Sequence, residues 1–378
     1  MATATATASL SSRAFSSPKS LLPNTASSLF PRAPAFWVVL QCPPLRGVFS
    51  SSAAAAHAAA ADFRLRSSAA STAESSTSLS KWVDFAQLVS GEWDGFGADF
   101  TAEGVPVELP ENVVPDAFRE WDVQVFDWQT QCPTLADEKG SFLLTYKMIR
   151  LLPTVGCEAD AATRYSVEER IVGGPDNQAS AFAFDSSGSF VAVWALDGLG
   201  GQKIIELEHC LVDPRDKEVR MRVIQVVRVE EGTMRLEKIK VFSEHWDGPF
   251  RNGELLGGCA IGETAFAASA KVDVSEVVGV WHGITSSIAR FQSEQREAFH
   301  ELVVDAPTES VRDHHGLVVL PKNLWSLSES SKDGEACWEV GWLLDHGDAI
   351  TSRCVFLDNR IIKEINIARQ IAESKKKK

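Results

Sequence analysis

The stretch LVSGEWDGFGADF (residues 88–100) is answered 188 positions later by EVVGVWHGITSSI (residues 276–288). Both carry Gly-x-Trp-x-Gly: Gly91, Trp93 and Gly95, then Gly279, Trp281 and Gly283. An apolar pair precedes each copy, Leu88 and Val89 or Val277 and Val278, and a run of alternating small, polar and apolar residues follows. Glycine beside a large indole lets neighbouring backbone approach closely where a barrel closes, while Trp plugs the apolar end and keeps its N–H for one acceptor. The repeat predicts two antiparallel barrels, each opening at one copy.

Between and after the copies, strand-like segments alternate with turn signals. In the first part they are 121–131, 141–152, 163–172, 180–185, 189–196, 202–212, 219–230 and 233–246, separated by DEKG, GGPDN, DSSG, DGLGG, DPRD and EEG. Gaps this short exclude the crossovers of a parallel α/β fold. The fold class is therefore all-β: two antiparallel β-barrel units with a short N-terminal helix. That helix is read from SLSKWVDFAQLVSG, which spaces Trp82, Phe85 and Leu88 or Val89 on one face, with Ser80 as cap and Gly91 as stop. It leads into the first strand and would cover one barrel end.

These patterns divide the chain into an N-terminal segment 1–78, a first barrel 79–250, a Gly-rich linker 251–276 that includes a short helix through AFAASAKV, a second and smaller barrel 277–370, and a Lys-rich tail 371–378. The second unit offers about seven strands over some 90 residues, thin for a free-standing eight-stranded barrel. Such a unit is either open or packed against the first.

Residues 1–80 are rich in Ala, Ser and Thr and hold six basic residues against two acids, the composition of a plastid transit peptide. Cleavage is expected between about residues 45 and 75, and the destination is the chloroplast stroma or the thylakoid surface. The whole chain carries 37 Lys and Arg against 51 Asp and Glu; beyond residue 80 the balance becomes 31 against 49, or −18. Such a surface repels nucleic-acid phosphates and suits an acidic docking face for a protein partner. No run of 18 apolar residues occurs, so no spanning helix is expected. Seven cysteines without a C-x-x-C pair read as buried, reduced thiols.

The opening motif resembles that of the calycin and lipocalin group, whose first strand carries Gly-x-Trp and whose last strand carries an Arg over that Trp. The tandem is similar to a two-part lipocalin-like family of unknown function from cyanobacteria and plastids, and more remotely to the S-type lyases that attach bilins to phycobiliproteins. The resemblance spans about residues 80–370 and implies that Gly91 with Trp93 and Gly279 with Trp281 are structural. It assigns the closing Arg to Arg353 or Arg369 in the second unit and to Arg228 or Arg235 in the first.

Catalytic and metal chemistry find little footing. Asp313, His314 and His315 precede a glycine and read as an exposed turn; His245 with Asp247 and His346 with Asp348 also lie at turns, without metal-ligand spacing. Gly198, Gly200 and Gly201 have no following helix to make a phosphate cradle. Cys210 beside His209 reads as a small buried hydrophobe. No catalytic residue, metal site or cofactor is assigned.

Ten of eleven tryptophans follow residue 80, and a barrel lined with them could hold an apolar or conjugated ligand or could simply be filled. Trp121, Trp128, Trp194, Trp338 and Trp342 are the cavity candidates, Trp338 and Trp342 sharing a strand face. Three classes of function follow: a plastid protein binding a hydrophobic small molecule (a tetrapyrrole, carotenoid or lipid derivative), an assembly factor for photosynthetic complexes, or a chromophore lyase.

Overall fold

A computed structural model describes residues 80–373 except 140, 155–162, 199–202, 231–232, 255–265, 292–297, 331–333 and 358–360. The transit-type segment, the middle of the Gly-rich linker and Lys375–Lys378 lie outside the described residues. The chain opens on helix α1 (80–89), which buries Trp82, Phe85, Ala86 and Val89. Gly91 then takes φ +143°, a backbone that L side chains rarely adopt.

Ten strands follow: β1 (Glu92–Thr101), β2 (Trp128–Gln131), β3 (Thr134–Ala136), β4 (Leu144–Leu151), β5 (Arg164–Val172), β6 (Ala181–Phe184), β7 (Phe190–Asp197), β8 (Lys203–Val212), β9 (Val219–Glu230) and β10 (Thr233–Gly248). The remainder supplies β11 (Gly279–Arg290), β12 (Phe299–Glu301), β13 (Val303–Asp305), β14 (Glu309–Arg312), β15 (Leu317–Leu320), β16 (Leu324–Ser330), β17 (Ala336–Asp345), β18 (Asp348–Phe356) and β19 (Ile362–Ala372). The protein is all-β with two barrel-like sheets.

The first sheet runs β12-β6-β7-β8-β9-β10-β1-β2-β4-β3, with β5 on β4. Hairpins join its central strands, and β10 returns to pair with β1, curling the sheet. The second runs β13-β11-β19-β18-β17-β16-β15, with β14 also on β11, and stays open. One strand crosses over in allegiance: β12 lies beyond the predicted linker yet pairs parallel with β6, extending the first sheet. Phe299 on β12 packs its ring against Trp82, Phe182 and Phe184 at 5.1 to 5.3 Å.

Two predicted elements differ. The segment 121–131 is a strand only from Trp128 onward, because Pro115 starts a short helix α2 (Asp116–Glu120) and Asp122 takes φ 55°. AFAASAKV forms one 3-10 turn (Phe266–Ala268), with helix α3 (Val274–Val277) following it.

The two sheets share one core. Period-two alternation sends Leu207 and Leu211 of β8, Val223 of β9 and Ile239 of β10 toward Trp338, Val340 and Trp342 of β17 and Ile365 of β19. Within that apolar seam lies a polar track: His209 Nδ1 is 2.6 Å from Ser352 Oγ and its Nε2 is 3.2 Å from Gln225 Oε1. Gln225 in turn donates to Ser326 Oγ (2.8 Å) and to the Glu339 carbonyl (3.1 Å). The open second unit is thus packed against the first. Among the described residues no helix is long and apolar enough to cross a membrane.

Candidate functional site

The faces turned away from the shared core hold the two Gly-x-Trp motifs, and their geometry repeats. Trp93 Nε1 donates to the Val89 carbonyl (2.9 Å) and Trp281 Nε1 to the Val277 carbonyl (2.8 Å), each four residues back at a helix end. Gly279, like Gly91, takes φ near +142°. An arginine covers each indole: Arg220 lies 4.0 Å above Trp93, and Arg312 lies 5.4 Å from both Trp281 and Trp325. Glu244 accepts from Arg220 Nε at 2.7 Å; Glu339 accepts from Arg312 Nε at 2.6 Å and from Trp325 Nε1 at 3.0 Å.

The covering arginines are not those the resemblance implied. Arg353 lines the concave face of the second sheet, its Nη2 3.2 Å from Cys337 Sγ, and does not reach Trp281. Arg369 pairs with Asp348, and Arg228 with Glu230 and Glu237. Arg220 lies on β9 and Arg312 on β14, neither a last strand. Arg220 and Arg222 were visible in VRMRVIQVV as two charges on one face of a mostly apolar strand; Arg312 was hidden in SVRDHHG, which reads as a turn.

Inside the first barrel, charges and rings fill the space. Glu208 accepts from Tyr146 Oη (2.6 Å), Arg170 Nη1 (2.8 Å), Trp194 Nε1 (3.0 Å) and Arg222 Nη1 (2.8 Å). Burial alone would raise its carboxyl, but Arg170 and Arg222 prevail and pull it down to about 2. Glu206 continues the ladder to Arg170 and Lys240, and Glu244 joins Arg222 to Arg220. Glu206, Glu208, Glu244, Arg170 and Arg222 each meet two or more opposite charges, as buried charges need, while Arg220 relies on Glu244 and the Trp93 ring. This ladder escaped the sequence reading because alternating Glu and Arg on a strand look the same when solvated.

The five candidate tryptophans do not converge. Trp121 caps α2 and is 63% exposed. Trp128 is buried against Tyr165, ring centroids 4.7 Å apart. Trp194 is tied to Glu208 inside the first barrel, and Trp342 is buried in the shared core. Trp338 differs. It is 3% exposed, its Nε1 has no hydrogen-bond partner among the described residues, and it lines a crevice of about 490 Å³ between the sheets. Met234, Leu236 and Val318 turn toward the shared core and make the apolar wall, while Leu317 faces the Trp281 and Trp325 cluster on the other side of its strand; Arg235 and Glu103 lie at the rim.

A larger groove, about 650 Å³, occupies the concave face of the second sheet. It is polar: Asp305, Asp313, Glu329, Glu335 and Glu364 surround Arg353 and Cys337, whose thiol burial pushes up to about 11. Asp313 accepts the His315 N–H in a turn, His346 Nδ1 lies 3.4 Å from Glu276, and Asp247 pairs with Arg251. Cys210 is buried, its thiol pushed up to about 12 by burial. Among the described residues no three His, Cys, Asp or Glu side chains are grouped to hold a metal.

A scan of protein-family models and a search of curated proteins find no match to this chain. Among solved structures it is similar to a protein of unknown function from the DUF3598 family of Nostoc punctiforme, at 12% identity and a TM-score of 0.46, with 78% of this chain and 99% of that one covered.

Proposed function

We propose that this protein is a non-enzymatic, lipocalin-like binder of a hydrophobic small molecule, held in the crevice between the two sheets. One observation carries the reading: Trp338 lines the crevice, and its buried indole N–H has no acceptor among the described residues. A buried donor left unpaired costs about 1–3 kcal/mol, so a ligand oxygen placed there is favoured over an empty wall. The volume of the crevice falls within the range of small-molecule pockets, and Met234, Leu236 and Val318 supply the apolar burial that drives binding. The first barrel serves as scaffold, its interior taken up by the ion ladder and aromatic rings.

The transit-type composition of residues 1–78 supports placing the protein in the chloroplast, in the stroma or at the thylakoid surface. A tetrapyrrole, carotenoid or lipid derivative offers both an apolar body and an acceptor oxygen, which suits transfer or protection of such a molecule. Titration of the full chain with one compound of each class, read by tryptophan quenching, tests this. Saturable quenching that weakens roughly tenfold in Trp338→Phe, which keeps an aromatic ring and removes the donor, is the expected result. Protein that binds none of them and co-purifies with a stable partner would replace this reading with that of an assembly factor, for which the acidic surface and the filled first barrel speak.

A further inference from the structure

Strand register fixes which polar side chains share the concave groove of the second sheet. Glu339 of β17 lies opposite Arg353 of β18, and Arg353 opposite Asn366 of β19. Cross-strand partners point to the same side, so these three form one rung. Two residues along, about 7 Å further from Trp325, Glu329, Cys337 and Glu364 form the next, with Val355 between the last two. Arg353 has no settled partner. Glu339 is already taken by Arg312 and Trp325. Arg353 Nη2 donates only to the weak acceptor Cys337 Sγ (3.2 Å), and its Nε has no hydrogen-bond partner among the described residues. The carboxylates of Glu339 and Glu329 stand off at 3.5 and 3.9 Å. Its Nη1, unbonded among the described residues and not buried, opens on the groove that the side chain lines. In the first barrel, by comparison, Arg170 and Arg222 each donate to two or more carboxylates.

We infer that the groove is a second ligand site that takes a small ω-amino acid, its carboxylate on the Arg353 guanidinium and its primary ammonium on Glu329 and Glu364 one rung further out. A planar fork of donors left without a carboxylate matches one supplied from solution. Of the five carboxylates that line the groove, Asp305 pairs with Arg290 and Glu335 with Lys363, which leaves Asp313, Glu329 and Glu364 around one guanidinium. That excess repels a dianion and attracts a cation, while a plain amine leaves Arg353 unanswered. Among the described residues no aromatic ring lines the groove, which favours an ammonium that donates hydrogen bonds over a quaternary one. The crevice lies on the other face: Trp338 alternates with Cys337 and Glu339 along β17.

Calorimetry on the full chain with 6-aminohexanoate, hexanoate, hexylamine and adipate tests the site. The amino acid should bind about tenfold or more tighter than hexanoate or hexylamine, since each of these lacks one charge-assisted contact. Adipate should bind no better than hexanoate. Arg353→Gln should bring 6-aminohexanoate down to the level of hexylamine. Glu364→Gln and Glu329→Gln, at the outer rung, should each weaken 6-aminohexanoate without weakening hexanoate, and they decide the matter if Arg353→Gln does not fold. Trp338→Phe, on the other face, should change none of these values. Hexanoate or hexylamine as tight as 6-aminohexanoate, or adipate tighter than it, overturns the inference, as does failure of all four to bind. None of those results touches the crevice.

Discussion

Arg220 lies 4.0 Å above the ring of Trp93, and Glu244 holds that guanidinium by its Nε at 2.7 Å. The same three-part arrangement recurs in the second sheet with Arg312, Trp281 and Glu339. Indole, cation and carboxylate each remove a cost the others would bear: the ring receives the charge, the carboxylate neutralises it, and the helix-end carbonyl accepts the indole N–H.

Breaking either end of the first stack should therefore be costly and coupled. Trp93→Ala is expected to lose about 3–5 kcal/mol by opening a cavity. Arg220→Ala should lose a similar amount, roughly 3–5 kcal/mol, by leaving Glu244 buried with only Arg222. Urea unfolding of the two single variants and the double should give a coupling of about 0.5–2 kcal/mol; strict additivity would show that the stack is mere proximity.

Acid should weaken the protein in two stages. Burial holds His209 down at about 4, against 6.5 for an exposed imidazole, so the folded state refuses a proton that the unfolded chain accepts. That part of the stability is full above pH 6.5 and is lost as pH falls toward 4. Glu208, lowered from 4.5 to about 2, adds stability that is full above 4.5 and lost as pH falls toward 2. His209→Gln should flatten only the upper stage in a series of denaturation midpoints against pH. An unchanged upper slope would mean that another group titrates there.

Gly341 makes room for Trp325: a Cβ added to it would lie 1.9 Å from Trp325 Cζ2. Gly341→Ala is expected to cost about 1–3 kcal/mol as an overpacking change, and to shift the near-ultraviolet signal of the displaced indole. A variant as stable as the native chain would show that Trp325 has another place to go.

The pairing of β12 with β6 ties a segment of the second half to the first sheet. Phe299→Ala removes a half-buried ring from the cluster around Trp82 and should cost about 2 kcal/mol. Thermal unfolding should stay a single transition at a lower midpoint. Separation into two transitions would show that the sheets fold independently.

Most strands from residue 141 onward could be read off the sequence because the alternation of apolar and polar residues is itself the structure: β9 spans Val219–Glu230 as the pattern VRMRVIQVVRVE predicts. The prediction failed at Trp121, where a helix start and a positive φ interrupt a strand-like composition, and local pattern cannot weigh those. It failed at Arg353 for a different reason. Which arginine reaches which indole depends on strand neighbours, and Arg312 owes its place to the pairing of Gly279 with Arg312 across β11 and β14.

Sequence by itself determined the all-β class, the two barrel starts at Gly91–Trp93 and Gly279–Trp281, and the helix that leads into the first. These are local facts, set by period-two alternation, glycine conformation and helical spacing. Only the tertiary structure decided which faces meet, since a strand offers two faces and the sequence does not say which is turned toward a partner sheet. That choice sends His209 and Trp338 into the seam between the sheets. It also leaves the buried Trp338 N–H with no acceptor among the described residues, where Trp93, Trp194, Trp281 and Trp325 each find one.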